Sequence, residues 1–482
     1  MVPAEPGGGG VMRVDLLTEP VDGLAELLAA VAAFDQVLVT GLLRPHPAQA
    51  AGLAELADAV AGSPLADRVA EAAEKAAAGA AGEEHFVALA AARTALLGAA
   101  HDALAARAAE AVGRTVGPAP DFSPGEPQAA NLSAAARSWL CELGRAGWQG
   151  IDHELVSGAA QIVSAMLPDS GLRRLAVLLD GFAAELAASC PGATLEHIPL
   201  RRWADLWSRA LLLTQPGATG PAPTGSATGR LLPLGVDLQE HATAAQAQVH
   251  AVLEPADGSP SRLVRASVAV PKPDTVVGAG VWQLLRPHLS LLAALGEGRS
   301  MEITDLPITD EGDLIWNDAQ ARAGEPADPF ATARVALAAA QLPPTAPLDR
   351  HPVRIAIPLL LEGYGTEADG DAVAFTLAGM GVPSAEGRVR IAVDTERIPS
   401  AGPLTPAAVA ASTACIGLLR WDAGEFTVQP LAVETTVRKK TVAVHSGAWA
   451  GGTIDKLGAK GEKAATEAVA VLRERAGRLL RK

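Results

Sequence analysis

Residues 214–229 divide this chain more sharply than any other feature. The run TQPGATGPAPTGSATG is built almost wholly from Gly, Pro, Thr, Ser and Ala. It has too little apolar surface to fold by itself and reads as a linker or mobile loop. Before it, apolar residues recur at helical spacing; after it, they alternate. Such a change of period calls for two kinds of structure in succession. The expected fold class is α+β: an all-helical domain over residues 1–213, then a strand-rich α+β domain over 230–482 that closes on an amphipathic helix. A Pro/Gly-rich stretch at 113–130 marks a sub-boundary within the first domain.

In the helical half, Leu24, Leu27 and Leu28 form one stripe, and Leu53, Leu56 and Val60 another. Ser63-Pro64 reads as a cap and first turn. Ala-rich helices are expected near 84–97 and 101–112, and further helices at 153–167 and 171–188. A short strand is expected at 11–17. Within 195–213, Pro199 opens a helix on which Trp203 and Trp207 stack at i, i+4. Arg201–Asp205 and Asp205–Arg209 share that spacing.

Beyond the linker, strands are expected at 231–238, 244–253 and 263–270, with an Asp257-Gly258 turn between the last two. A helix over 276–295 would be kinked at Pro287. Strands at 416–421 and 425–433 form a hairpin over Asp422-Ala423-Gly424, and 435–445 adds one more. Strands outnumber regular β-α alternation, which favours α+β over a doubly wound sheet.

At 482 residues, 49% hydrophobic and 19% charged, the chain can bury more than one core. With eight Trp, one Tyr and 3% aromatics overall, those cores rest on Leu, Val and Ala. Abundant Ala, Gly, Pro and Arg with scarce Lys is the usage of a GC-rich, bacterial-like genome. The net charge of −15 disfavours a nucleic-acid partner, whose phosphates need a basic surface. Cys141, Cys190 and Cys415 are isolated, so reduced, inert thiols are expected. Residues 1–10 lack a secretory pattern, and Met12 is an alternative start. No apolar run reaches the ~18–20 residues of a membrane helix. The expectation is a soluble cytoplasmic protein without a membrane span.

Motifs with catalytic content are missing. Gly458 opens GAKGEK, which lacks phosphate-loop spacing, and Gly278-Ala279-Gly280 lacks the third glycine of a dinucleotide fingerprint. HExxH, EF-hand and GxSxG patterns do not occur. No cofactor and no dedicated metal site are expected, and acidic loops at 305–313 and 367–371 read as turns. The weak catalytic candidates are Asp237, Glu240, His241 and His250, groups able to move protons or hold a divalent ion. Asp237 and Glu240 are an odd number apart, so a continuous strand cannot place both on one face.

Interface candidates are Arg201, Arg202, Trp203 and Trp207, residue types enriched at hot spots and equally suited to anchoring a helix on a neighbouring domain. Others are Arg438-Lys439-Lys440 and the terminal helix, with Arg473, Arg475 and Arg478 beside a stripe holding Leu472 and Leu479. The functional expectation is an interaction or scaffold component of a larger assembly, with other proteins as partners. The alternative is an enzyme, metal-assisted and hydrolytic, with its site in the C-terminal domain. Whether a small molecule binds is left open by the sequence.

Overall fold

The structure, a computed structural model, describes residues 12–117, 129–218, 223–273, 275–378 and 388–452, together with isolated helical positions between 459 and 474. Its first helices are α1 (Asp15–Thr18), α2 (Leu24–Thr40), α3 (Pro47–Ala59), α4 (Ala66–Ala77), α5 (Glu83–Ala111), α6 (Ala130–Ala146), α7 (His153–Ser157), α8 (Ala159–Met166), α9 (Arg173–Ala188) and α10 (Leu200–Leu213). Strand-rich structure follows from Gly225, so the α+β layout expected from the change of period is the observed one. No helix among the described residues is long and apolar enough to cross a membrane.

The helices bury their stripes in one core around Phe34, Phe86, Trp148, Phe182, Trp203 and Trp207. Trp148 and Trp203 meet edge to face at 5.7 Å between ring centroids, and Trp207 meets Phe86 the same way at 6.3 Å. The C-terminal ends of α2 and α6 touch backbone to backbone, where Leu42 N–H donates to the Gly144 carbonyl at 3.0 Å. Gly41 and Gly147, both with φ near +70°, make that approach possible. A Cβ on Gly147 would overlap Thr40 and Gly41.

The first sheet contains β1 (Gly225–Glu240), β2 (Ala244–Pro255), β3 (Arg262–Pro271), β4 (Arg299–Ile308), β5 (Asp313–Leu314) and β6 (Ala321–Pro326). Its pairings run β1-β2-β3-β5-β4 and return from β4 to β1, so the sheet closes into a small barrel. Inward residues such as Leu231, Val249, Val264 and Met301 fill it, together with Trp282 and Leu291 from the helices α11 (Val281–Leu284) and α12 (Leu289–Glu297).

The second sheet has the order β7-β11-β12-β10-β9-β8, with β13 on β12. These are β7 (Ile357–Glu362), β8 (Gly365–Asp369), β9 (Ala372–Ala378), β10 (Arg388–Val393), β11 (Ser412–Asp422), β12 (Glu425–Val437) and β13 (Lys440–His445). It packs on the outer face of β1 and β2, and a bulge between Pro233 and Gly235 sets that face. The extra residue lets Leu232, opposite Val252, share a side with Gly235, Asp237 and Gln239, opposite His250, Gln248 and Gln246. Gly235 is required there because a Cβ would sit 2.7 Å from the Leu431 Cβ on β12.

The core between the two sheets also takes Leu16 and Leu17 of α1, and Leu104 and Ala108 of α5. Helix α5 therefore belongs to two cores, its first half among the helices and its last turns against the sheets. The two halves share buried surface and do not meet through the linker alone.

Several local expectations need correction. The 11–17 segment is helical from Asp15, because adjacent Leu16 and Leu17 are both buried. The helices expected near 84–97 and 101–112 are one helix through Gly98; packing in two cores outweighs the ~1 kcal/mol cost of a helical glycine. Strand β1 starts at Gly225 inside the low-complexity run, where pairing with β4 supplies what composition lacks. The 276–295 helix breaks at Arg286–His288, where Pro287 lacks an N–H. The 435–445 strand is interrupted by a turn in which Arg438 and Lys439 have φ of 50° and 65°.

The glycine contact gives the first prediction. Gly147→Ala should lower stability by about 2–4 kcal/mol, combining a strained positive φ with backbone overlap, read as a shift of the urea midpoint. A shift under about 0.5 kcal/mol would show that the two helix ends can part freely.

Candidate functional site

The four catalytic candidates lie in three different settings. Asp237 is buried between the sheets and accepts hydrogen bonds from Arg420 at 2.7 Å, Gln429 at 2.9 Å and Gln239 at 2.9 Å. Burial pushes this carboxyl up, but Arg420 and the two amides more than offset it and hold it below the usual aspartate range. His250 lies on the same face, two residues further along the pairing, and is almost fully buried. Burial drives its imidazole down to about 3, with Arg265 and Arg420 adding to the effect and Asp237 opposing it.

Glu240 and His241 are not part of this cluster. Glu240 is exposed at the end of β1, with its carboxyl raised by partial burial against the pull of Lys272. His241 reaches back to the helices, its Nε2 2.8 Å from Glu185 Oε1 on α9. Arg202 also pairs with Glu185. Among the described residues, no group of three or more His, Cys, Asp or Glu is placed to hold a metal ion.

The interface candidates on α10 are spent within the chain. Trp203 and Trp207 are core residues, and Trp207 Nε1 donates to the Leu140 carbonyl at 2.8 Å. Arg201 does not reach Asp205 but spans to Asp422 on the β11–β12 hairpin, at 2.7 and 3.2 Å. Asp205 instead takes Arg209 at 3.3 Å. Arg473 and Leu479 lie outside the described residues, as does most of the terminal segment. Cys141 and Cys415 are buried with their thiols pushed up, Cys141 to about 12, as befits inert thiols; Cys190 is raised more mildly by partial burial.

A second charged network lies where α2, α5 and α10 meet the segment before β7. Buried Arg93 holds Asp35 through two bonds, of 2.6 and 3.0 Å, and lies 3.8 Å from Asp205. Burial nonetheless raises the Asp35 carboxyl. His351 Nε2 is 3.6 Å from Asp205, and burial lowers this imidazole to about 4. Arg174 and Arg354 both bind Asp349. Arg174–Asp349 and His351–Asp205 join helices to the sheet half across the seam.

Two hollows flank this seam. One, of about 340 Å³, lies at the C-terminal end of α5 against β2, β3 and the 342–358 segment. The other, of about 520 Å³, is an apolar groove between α2, the start of α10 and the β11–β12 hairpin, with Leu28, Val31, Leu200 and Trp421 in its wall.

Sequence reasoning passed over Arg420, Gln429, Glu185 and Asp35. The signal for Arg420 was legible: a lone cation inside the apolar strand IGLLRW, at a position whose neighbours must face inward. Glu185 and Asp35 gave none, since polar residues on amphipathic helices are ordinary. The chain matches no protein-family model, and comparison with curated proteins and with solved structures returned no match.

Two predictions arise from these buried groups. Arg420→Met leaves Asp237 without its cation and should destabilise by about 3–5 kcal/mol in chemical denaturation. His250 and His351 both titrate in the folded chain below the ordinary 6.5, so between that value and about 4 the unfolded state binds more protons and stability falls with pH. Each contributes at most about 1.4 kcal/mol per pH unit. The Asp237 carboxyl adds a further loss only lower, below its unfolded 3.8. His250→Phe should flatten the decline above pH 4, measured by urea unfolding across a pH series; an unchanged slope would mean the imidazole protonates freely in the fold.

Proposed function

We propose that this protein is a protein-interaction component of a larger assembly, working in the cytoplasm. The observation that carries this reading is the groove beside Trp421. It is a solvent-open hollow of about 520 Å³ with an almost wholly apolar wall, set between two parts of the fold pinned together by Arg201–Asp422. Apolar surface with an aromatic wall and an arginine at its edge is what the anchor side chain of a partner fills. The reactive groups point the same way, since Asp237, Asp35, Asp205 and Glu185 are each engaged by a cation of the same chain.

The enzyme alternative rests on Asp237, Glu240, His241 and His250, and their dispersal gives it less support. Three unpaired cysteines, two of them buried, accord with a reducing compartment.

The groove can be tested without disturbing a core. Ala32 is an exposed position of α2 in its wall, so Ala32→Arg places a cation in the apolar space. Affinity purification from the native host should recover a discrete partner set with the unaltered chain and lose it with Ala32→Arg, at unchanged thermal stability. Truncation after Gly461 in the same experiment reports the share contributed by the basic terminal segment. Equal recovery by the unaltered and Ala32→Arg proteins, or no partner above background with either, would overturn the reading.

A further inference from the structure

We propose that the cavity at the C-terminal end of α5 binds a small organic carboxylate with an apolar body. Its volume, about 340 Å³, falls within the usual range of small-molecule sites. Three parts of the fold make it: the α5 turns bearing His101, Asp102 and Ala106, the 342–358 segment, and the outer face of β2 and β3. Leu263, Leu342, Pro343, Ile355 and Ile357 give it an apolar wall suited to a hydrocarbon body.

The charged groups set the head group. Arg265, Arg350 and Arg354 line the cavity, and Asp102 is the single carboxylate among its described lining residues. Each guanidinium is already partly engaged: Arg265 with Asp313 at 2.8 and 2.9 Å, Arg350 with Asp102 at 3.2 Å, and Arg354 with Asp349 at 2.7 Å. With each guanidinium matched by one carboxylate the site carries no large positive excess, which disfavours a doubly charged phosphate more than a monoanion. A guanidinium has five N–H donors, so these pairs leave donors for a ligand oxygen.

His250 supplies the independent indication. It lines the cavity at 1% exposure, and its Nε2 has no hydrogen-bond partner among the described residues. Native folds seldom leave such an atom unmatched. His250 is paired directly across from Arg265, so imidazole and guanidinium lie side by side on one face. Kept neutral by its burial, the ring can donate one N–H to a carboxylate oxygen while Arg265 donates to the other. The apolar body then lies along Ile355 and Ile357.

Isothermal titration calorimetry on the full chain tests this with three probes: octanoate, octanol and inorganic phosphate. Octanoate should bind saturably at one site, and octanol and phosphate at least about tenfold more weakly. Ala106→Trp, at an exposed helical position in the cavity wall, should weaken octanoate about tenfold or more while leaving the melting temperature in place. His250→Phe should do the same, and if that buried variant fails to fold, Ala106→Trp carries the test alone. No saturable octanoate binding up to about 1 mM, octanol or phosphate binding as tightly, or an unaffected Ala106→Trp protein would each overturn the proposal. Ala32→Arg touches the separate groove, so failure there leaves this site standing, and the reverse.

Discussion

Helix α5 is the member on which the rest of the fold depends. Its 29 residues lie along two hydrophobic cores in succession, so Phe86, Leu89 and Leu97 are buried against one set of partners and Leu104, Ala108 and Ala111 against another. A helix that long spans about 43 Å at 1.5 Å per residue, enough to reach from the Trp-rich helical core to the core between the sheets. Because it is one rigid rod, the position of the helical layer is set relative to the sheets by packing. The low-complexity run at 214–229 gives its last residues, from Gly225, to β1 itself.

Polar groups then fix what packing leaves loose. Apolar surfaces attract without specifying a unique register, whereas Asp237 between Arg420, Gln429 and Gln239 is satisfied in one arrangement of the two sheets. Removing an aspartate from water is costly, and the three donors are what make the burial tolerable. Arg93–Asp35 has the same character among the helices, and Arg201–Asp422 and His241–Glu185 repeat it at the more exposed edge of the seam. These buried and half-buried charges act on one another.

Much of the architecture was legible in the sequence because periodicity reflects burial directly. The helical stripes, the Trp203/Trp207 face and the 416–433 hairpin all come from one-sided burial, which spacing records. What stayed hidden was long-range: closure of the first sheet depends on β1 meeting β4 some 70 residues on, and no local pattern announces it. The strand character of Gly225–Gly229 exists only through that pairing. Of the site residues, the sequence picked out Asp237 and His250, which do share a face. It grouped them with Glu240 and His241, which do not join them, because Glu240 is an odd number of positions from Asp237 and His241 lies past the end of β1. Arg265, Arg350 and Arg354 come together only through tertiary packing, from segments 85 residues apart and more.

The open margin of the second sheet has a consequence for the chain in solution. The barrel uses up most of its own hydrogen-bonding edges, but β8, at one end of the second sheet, has a neighbour on one side only among the described residues. An unpaired strand is a template for another copy of itself, the first step toward intermolecular cross-β growth. Here it is only five residues long, and it carries Glu367 and Asp369 exposed. Two such strands brought together would place carboxylates beside carboxylates. These two carboxylates thus serve as a guard at that exposed margin.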